Sequence, residues 1–389
     1  MSRPEHELRG RAAVVGVAES ALGEVGAGIS TVDLIGQATV RALADAGLRK
    51  SDIDAIFCHS AFFSLPTVTV AEYLGIRPRF TDSTAIGGSS FVAHLRHAAL
   101  AIEAGLCEVA LITYGSIQRS ASRALMSSGP SVAGSYETPF GPRLPISAYA
   151  LAAARHMHEF GTTREQLAEV AVAARQWAQR NPVAFVRDEL TVDDVLSSRM
   201  ISSPLTVRDC CLVTDGGGAV LVTSAERARD LAKPPVYLLG AGEAMSHMSI
   251  SQMPDLTRTM AVESGRRAYE VAGFGPEDVD LVQLYDAFTI NTILFLEDLG
   301  FCAKGEGGAF VEKGRIAPGG QFPVNTNGGG LSYCHPGMYG IFLIVEAVRQ
   351  VRGECGDRQV DPAHLALIHG NGGHLSTQVT ALLGDETTL

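Results

Sequence analysis

The stretch Asn327-Gly328-Gly329-Gly330-Leu331-Ser332-Tyr333-Cys334-His335-Pro336-Gly337 is the most informative part of this chain. Its glycines lack a Cβ atom, so the backbone can approach a ligand closely. We expect His335 in the first turn of a helix over 338–351, with Pro336 where a missing N–H costs nothing. A titratable group at the positive end of a helix dipole suits a developing anion or proton transfer.

Two further segments place polar side chains at the ends of apolar runs. Tyr285-Asp286-Ala287-Phe288 follows the run at 279–284, and His369-Gly370-Asn371-Gly372-Gly373 follows the strand-like residues 365–368. Each segment alone would be a weak signal, because short glycine-rich runs often occur by chance. Three such segments within the last hundred or so residues are a much stronger one.

In this order and spacing, the three segments resemble the thiolase superfamily. The first matches its Gly-His-Pro loop. The Tyr285 segment matches its Asn-Glu-Ala-Phe element, which begins His-Asp in the sterol-carrier-protein branch, and the His369 segment matches Cys-x-Gly-Gly-Gly. The resemblance is nearest to that branch of non-specific lipid-transfer proteins and covers the whole chain. It implies an α/β protein with a five-layer α-β-α-β-α fold of two pseudo-twofold-related halves.

An internal repeat supports a duplicated domain. Residues 41–62 and 267–288 align with a shift of 226 positions and share eight identical residues. Each copy is predicted as a helix, an Ala-Gly stop and a buried strand. One repeat of this length indicates duplication, since solenoid repeats are only 20–50 residues long.

The chain is therefore divided into an N-terminal half, 1–232, and a C-terminal half, 233–389, with Lys233-Pro234-Pro235 as the linker. Strands are predicted at 12–17, 54–58, 108–113, 218–223, 236–239, 279–284 and 365–368, and helices at 87–104, 148–160 and 164–180. A loop region spans about 115–205, and its first part, 116–145, is expected to be irregular. The resemblance implies that this region covers coenzyme A.

The cysteine that thiolases acylate is missing. In the family it opens a helix of the first half, and the corresponding stretch here is Thr84-Ala85-Ile86-Gly87-Gly88-Ser89. Matching the family's glycine to Gly88 places Ala85 at the cysteine position, and a slip of one residue gives no thiol either. A methyl group cannot form a thioester, so the usual covalent mechanism is in doubt although the fold is not.

The acid–base groups remain, and four of them are the predicted catalytic residues: His335, Tyr285, Tyr333 and His369. We expect His335 to donate a hydrogen bond to a thioester oxygen. The predicted supporting residues are Asp286, Cys334 and Asn371, and the predicted substrate-binding residues are Gly87, Gly88, Ser89, Gly329, Gly330, Gly372 and Gly373. The alternative for each tyrosine is a core position, for His369 a buried structural histidine, and for Cys334 a displaced nucleophile or a small core residue.

Without a covalent step, the natural reaction is retro-aldol cleavage of a β-hydroxyacyl-CoA, with a coenzyme A thioester as substrate and no permanently bound cofactor. Some cysteine-free proteins of this branch are aldolases of steroid side-chain degradation, and this chain is similar to them. The alternatives are an acetyl-CoA acyltransferase with a displaced nucleophile and a non-catalytic acyl-CoA-binding subunit. The resemblance also implies a homodimer and a small accessory partner with an OB-fold and a zinc ribbon.

Charge and composition argue against several classes of partner and of site. The net charge is −11 without a long basic run, which argues against nucleic acid as a partner. No apolar run reaches the length of a membrane span, and the N-terminus lacks the apolar core of a signal peptide. The seven scattered cysteines have no C-x-x-C spacing, so they predict neither a zinc site nor disulfides. We therefore expect a cytoplasmic protein without a metal.

Overall fold

The computed structural model describes residues 8–121 and 137–389. Nine strands form one mixed sheet in the order β3-β2-β4-β7-β1-β8-β11-β10-β9, and β5 and β6 form a small hairpin. The strands are β1 (Ala12–Glu19), β2 (Ala55–Cys58), β3 (Phe80–Asp82), β4 (Val109–Ser116), β5 (Met200–Ser202), β6 (Leu205–Thr206), β7 (Gly216–Ser224), β8 (Val236–Met245), β9 (Leu281–Leu284), β10 (Leu365–Gly372) and β11 (Thr377–Gly384).

The helices of the described residues fall on both halves and in the loop region between them. They are α1 (Thr31–Ala46), α2 (Pro66–Leu74), α3 (Ser90–Glu103), α4 (Ile146–Phe160), α5 (Arg164–Gln179), α6 (Val192–Ser197), α7 (Ala225–Ala228), α8 (Ala261–Ala272), α9 (Thr289–Asp298), α10 (Gly307–Val311) and α11 (Gly340–Val351). No helix among these ranges is long and apolar enough to cross a bilayer.

The strand pairing repeats between the halves. In the first half β2 pairs parallel with β4, and β4–β7 and β7–β1 are antiparallel. In the second half β9 pairs parallel with β10, and β10–β11 and β11–β8 are antiparallel. The two sets join where Ala13 and Val14 of β1 pair with Tyr237 and Val236 of β8. The sheet therefore contains the duplication that the sequence repeat predicted. We propose the boundary between the halves at 232/233, in the loop before β8.

The helices build the layers around these two strand sets. Helix α1 packs on β1, β7 and β4, and α8 packs on β8 and β11, which gives the two outer layers. Helices α3 and α11 contact each other and also strands of both halves, so they lie in the middle. The order of layers is therefore an outer helix, strands, the central helices, strands and an outer helix. This order corresponds to the predicted five-layer arrangement.

The predicted elements are largely confirmed, and three differences bear on function. The helix after His335 begins at Gly340, so His335 precedes it by five residues instead of lying in its first turn. The predicted strand at 365–368 extends to Gly372, and β11 was not predicted. The predicted irregular segment 116–145 falls partly outside the described residues. Of the rest, β4 includes Ser116, and a short 3₁₀ turn covers Thr138–Phe140.

Candidate active site

A cavity of about 220 Å³ lies where the two halves and the loop region meet. Its walls come from the turn before α3, from α4, from the segment after β9, from the loop before α11 and from the β10–β11 turn. The residues that line it are Gly87, Gly88, Pro145, Tyr149, Cys211, Tyr285, Ala287, Phe288, His335, Gly337, Met338, Asn371, Gly372 and Gly373. The three sequence segments thus converge on one half-open cavity, although they are separated along the chain.

Tyr285 and His335 form a pair in this cavity. The Tyr285 hydroxyl lies 3.1 Å from Nε2 of His335, and the two rings meet edge to face with centroids 5.6 Å apart. The backbone N–H of Tyr339 donates to the same phenol oxygen at 3.1 Å. The backbone N–H of His335 donates to Oγ1 of Thr214 at 3.0 Å, which anchors the backbone of this loop to the first half of the chain. The Tyr285 phenol is therefore held from two directions, and His335 through its backbone and its ring.

Two glycines allow the close packing around the Tyr285–His335 pair. A Cβ atom on Gly88 would lie 2.1 Å from Cε2 of Tyr285, and one on Gly340 would lie 2.0 Å from the Gly88 carbonyl oxygen. Both contacts are far shorter than van der Waals distance. The glycine at position 88 is thus required for Tyr285 to occupy this place, which is a steric role beyond the predicted substrate contact.

Burial determines the charge state of the pair. It lowers the pKa of His335 to about 4 and raises the pKa of the Tyr285 phenol well above its ordinary value. At neutral pH both groups are uncharged. The helix dipole is not the cause, because His335 does not lie in the first turn of a helix as predicted. Helix α11 starts only at Gly340, and removal of the imidazole from water is the main cause.

Asp286 supports the glycine loop from behind the cavity. Its Oδ1 accepts a 2.6 Å hydrogen bond from the N–H of Gly330, and burial raises its pKa to about 7. A Cβ atom on Gly329, which has φ +63°, would lie 1.9 Å from Oδ2 of Asp286. Gly329 and Gly330 therefore pack against this carboxyl group, and the structure does not bring either glycine into the cavity wall.

Two other predicted residues of this loop point elsewhere. The Tyr333 hydroxyl donates to Oε1 of Glu19 at 2.7 Å, and Arg349 pairs with both oxygens of the same carboxylate. The thiol of Cys334 is fully buried, and burial raises its pKa well above its ordinary value. Neither residue lines the cavity. These contacts favour the core alternative for Tyr333 over the predicted catalytic role, and they disfavour Cys334 as a displaced nucleophile.

His369 is also separated from the cavity. Its Nδ1 lies 2.8 Å from Oγ1 of Thr380, its Nε2 lies 2.8 Å from Oε1 of Gln378, and burial lowers its pKa to about 4. The buried structural alternative therefore fits His369 better than direct catalysis. Ser89 likewise lies outside, since its hydroxyl donates to the Ile86 carbonyl at 2.7 Å. Asn371, Gly372 and Gly373 do line the cavity.

The position that matches the family's cysteine does not contribute to the site. Ala85 is exposed and is not part of the cavity wall. The thiol found among the described lining residues is that of Cys211. Burial raises its pKa above the ordinary value, so it stays protonated at neutral pH. A protonated thiol is a poor nucleophile.

Other residues that line the cavity were not predicted from the sequence either. Tyr149, from the first turn of α4, and Phe288, from the end of the Tyr285 segment, pack with ring centroids 4.4 Å apart and planes inclined by 31°. Phe288 was inside a quoted motif and could have been found from it. No motif marks Tyr149, Met338 or Cys211. Among the described residues no group of three His, Cys, Asp or Glu side chains could hold a metal ion.

Comparison with known proteins places this geometry in a family. Residues 242–385 match the family model "Thiolase C-terminal domain-like". An acetyl-CoA acetyltransferase of Methanothermobacter thermautotrophicus is 35% identical over 93% of this chain and 96% of its own length. The 17-hydroxy-3-oxo-4-pregnene-20-carboxyl-CoA lyase of Mycobacterium tuberculosis is 35% identical over 94% of this chain and 97% of its own length.

A solved structure described as "Ltp2-ChsH2(DUF35) aldolase" superimposes with a TM-score of 0.90 and 33% identity, covering 97% of this chain and 99% of that one. The relatives include both lyases and acyltransferases at equal identity, so overall similarity does not decide between the two reactions. The fold, the three motifs and the relatives agree that this chain belongs to the thiolase superfamily, in the branch of sterol-carrier-protein thiolases and steroid side-chain aldolases.

Proposed function

We propose that the protein is an acyl-CoA carbon–carbon lyase that cleaves a β-hydroxyacyl-CoA by a retro-aldol reaction. The observation that carries this proposal is the neutral, hydrogen-bonded pair of Tyr285 and His335 in a cavity that the family's cysteine position, here the exposed Ala85, does not line. An acyltransferase needs an activated nucleophile, whereas a retro-aldolase needs a base for the β-hydroxyl and support for an enolate.

The pair can supply the base through a proton relay. The phenol of Tyr285 keeps its proton at rest, because burial raises its pKa. It can accept the β-hydroxyl proton only by passing its own proton to Nε2 of the neutral His335, 3.1 Å away. This geometry favours His335 as the proton acceptor for Tyr285 over the predicted role of donor to the thioester oxygen.

The bonds and charges of the reaction then balance without a further reactant. As the β-hydroxyl loses its proton, a C=O bond forms at the β-carbon and the Cα–Cβ bond breaks. The electron pair passes to the thioester, which becomes an enolate. The proton held by His335 returns through Tyr285 to the α-carbon, and the products are a carbonyl compound and a shorter acyl-CoA.

Backbone groups are the candidates for holding the enolate oxygen. The turns Gly87–Gly88 and Gly372–Gly373 line the cavity without side chains, and a Cβ atom on Gly87 would lie 3.0 Å from the nitrogen of Gly373. Two uncovered stretches of main chain therefore face each other in the site. Preorganised backbone dipoles of this kind stabilise a developing oxyanion strongly in a site that excludes water.

The test is a product analysis with a β-hydroxyacyl-CoA whose β-carbon is tertiary. We expect equal amounts of ketone and shortened acyl-CoA, without consumption of free coenzyme A. Cleavage only of a β-ketoacyl-CoA, and only when free coenzyme A is supplied, would replace the lyase with an acyltransferase. The steroid substrate named for the Mycobacterium tuberculosis relative is a suitable first candidate, because it carries a β-hydroxyl on a ring carbon.

The acyltransferase remains the second candidate because one thiol, Cys211, lines the cavity. Incubation with acetyl-CoA should leave the intact mass unchanged, since burial keeps this thiol protonated. An acetyl adduct that disappears in Cys211→Ala but persists in Cys334→Ala would establish the displaced-nucleophile mechanism at Cys211. A non-catalytic binding subunit has no need of the Tyr285–His335 pair, which argues against that third reading.

We also propose that the chain forms a homodimer. Strand β3 stands at one end of the sheet, and next to it along the chain α2 exposes Val68 and Tyr73, preceded by the exposed Leu65. An uncovered strand edge beside apolar side chains is a surface that a twofold partner can bury. Light scattering at micromolar concentration should give twice the 41.0 kDa mass of one chain. A monodisperse species with the mass of a single chain would contradict the proposal.

Two further assignments are proposals of the same kind. The solved aldolase structure carries a second component in its name, ChsH2(DUF35), and we propose a small accessory protein for this chain as well. All seven cysteines are free, which agrees with a reducing, cytoplasmic setting. Co-purification of tagged protein from its own host tests the accessory protein, and fractionation of the same host cells tests the cytoplasmic location.

A further inference from the structure

The Gly372–Gly373 turn packs directly on the backbone of the first half at the cavity wall. A Cβ atom on Gly372 would lie 1.9 Å from the Ile86 carbonyl oxygen, and one on Gly87 would lie 2.9 Å from Cα of Gly372. The two backbones therefore touch without side chains between them. This packing prevents the turn from moving toward the first half, but it does not by itself orient the peptide groups of the turn.

Two hydrogen bonds orient the peptide group between Gly373 and His374. The Tyr149 hydroxyl donates to the Gly373 carbonyl at 3.0 Å, and the N–H of His374 donates to Oγ of Ser376 at 3.0 Å. Ser376 belongs to the same turn, whereas Tyr149 comes from α4, 224 residues away along the chain. The Tyr149 hydroxyl is therefore a contact through which the loop region sets the position of the turn.

A chain of hydrogen bonds sets the direction of the Tyr149 hydroxyl. Nδ2 of Asn371 donates to the phenol oxygen at 2.9 Å, and Nε2 of Gln378 donates to Oδ1 of Asn371 at 2.9 Å. Oε1 of Gln378 can only accept, so Nε2 of His369, 2.8 Å away, carries the proton between them. Because the phenol oxygen accepts from the Asn371 amide, its own proton is directed to the Gly373 carbonyl.

The helix that carries Tyr149 is itself fixed to the second half. Nε2 of His156, on the same helix α4, lies 3.0 Å from both carboxylate oxygens of Glu297 on α9, and both side chains are fully buried. Nζ of Lys304 lies 3.0 Å from the same carboxylate. Helix α4 is therefore a firm support, so the phenol can hold the turn instead of following its movements.

We propose that Tyr149 is a positioning residue, whose hydroxyl holds the Gly372–Gly373 turn where the main chain of the turn supports the enolate oxygen. Asn371 and Gln378 contribute one and two steps further from the reaction, because they direct this hydroxyl. The role rests on the proposed function, since it requires a thioester enolate. Negative charge on that oxygen develops only during the reaction, so the hydroxyl should affect the transition state more than substrate binding.

The first measurement is kinetic. Tyr149→Phe removes the hydroxyl and keeps the ring. On a β-hydroxyacyl-CoA with a tertiary β-carbon, we expect kcat to fall by about 10–100-fold, which is less than the roughly 10²–10³ for loss of an oxyanion donor, because the turn is displaced and not removed. KM should stay nearly unchanged. Gln378→Met removes the donor to Asn371 outside the cavity and should lower kcat by a smaller factor.

Tyr269→Phe is the matched control for stability. The Tyr269 hydroxyl also donates to a backbone carbonyl, that of Leu299 at 3.0 Å, but Tyr269 lies on α8 and does not line the cavity. This variant loses the same kind of hydrogen bond. It should therefore lower the melting temperature to a similar extent as Tyr149→Phe and leave kcat at the wild-type value.

A pair of coenzyme A thioethers tests the turn without any reaction. Carboxymethyl-coenzyme A places a carboxylate where the charge of the enolate develops, and carboxamidomethyl-coenzyme A is its neutral counterpart. Titration calorimetry gives the ratio of their dissociation constants. We expect wild type and Tyr269→Phe to prefer the carboxylate by about tenfold, because hydrogen bonds to a charged group are the stronger ones. Tyr149→Phe should lose most of this preference.

The outcomes separate the role of Tyr149 from the lyase reaction. If the wild type does not cleave the β-hydroxyacyl-CoA, the lyase function fails, but a carboxylate preference that Tyr149→Phe lacks still supports the positioning role. A wild type without this preference overturns the role, and so does a Tyr149→Phe variant with the wild-type ratio, whatever its kcat. If Tyr149→Phe does not fold, the same measurements on Gln378→Met decide.

Discussion

The phenol oxygen of Tyr285 lies 3.1 Å from Nε2 of His335, and the main-chain N–H of Tyr339 donates to that same oxygen. One buried hydrogen bond thus joins the end of a strand to the loop that follows the glycine run. Because the phenol keeps its proton at neutral pH, it can act as a base only by passing that proton to the neutral imidazole. The pair works as a unit, and its two members should fail together.

The first prediction therefore concerns this unit. His335→Ala and Tyr285→Phe should each lower kcat for β-hydroxyacyl-CoA cleavage by about 10²–10⁴, because each interrupts the same proton transfer. The double variant should be little worse than either single one. Steady-state kinetics on all four proteins provide the measurement. Near wild-type rates in both single variants would show that the reaction does not depend on the Tyr285–His335 pair.

A second tyrosine provides the contrast. Tyr333→Phe removes a hydroxyl that donates to the partly buried Glu19, and it should cost about 1–3 kcal/mol of unfolding free energy while kcat stays near the wild-type value. Urea unfolding and the same kinetic assay measure both effects. A large loss of kcat without a loss of stability would return Tyr333 to the catalytic group that the sequence predicted.

The third prediction tests the steric role of Gly88. Gly88→Ala should lower kcat by about 10² or more, because the added methyl group displaces Tyr285 and small misplacements near reacting atoms are costly. Gly36→Ala is the control. It adds a methyl group within α1, where the nearest atom is the far end of the Tyr73 side chain at 3.0 Å. Equal activities of the two variants would show that Tyr285 tolerates displacement.

The fourth prediction concerns pH and the buried His369. Its pKa is about 4 in the folded protein and near 6.5 in an unfolded chain, so the unfolded chain binds more protons between these values. The unfolding free energy should therefore fall as the pH is lowered from 7 to 4, with a contribution of up to about 3 kcal/mol. His369→Gln should lose less stability over this range.

Urea unfolding of wild type and His369→Gln at several pH values gives the difference between their unfolding free energies. The contributions of other titrating groups are the same in both proteins and cancel in this difference. His364 serves as the control, because it is exposed and paired with Asp385, which raises its pKa. His364→Gln should therefore not reduce the wild-type loss of stability at low pH. Parallel curves for wild type and His369→Gln would mean that His369 titrates normally in the folded state.

Much of the fold could be read from local patterns. The shifted repeat predicted a duplication because each copy carries its own stop signal, and Gly47 and Gly273 indeed end α1 and α8 with φ values of 69° and 71°. Apolar runs marked most sheet strands because buried strands need such residues on both faces. Strand β11 was not predicted from the sequence, because Thr377 and Gln378 make its first residues polar.

The sequence alone determined the family, the duplicated α/β architecture and the identity of Tyr285 and His335, because these depend on residue types at short spacings. Only the tertiary structure decided which polar groups share a cavity. It directed Tyr333 to Glu19 and His369 to Gln378, and it brought Tyr149 from the loop region against Phe288. The physical reason is that a side chain's partner and its burial arise from contacts between separate segments of the chain, 9 residues apart for His369 and Gln378 and 314 apart for Glu19 and Tyr333, and no local pattern encodes them.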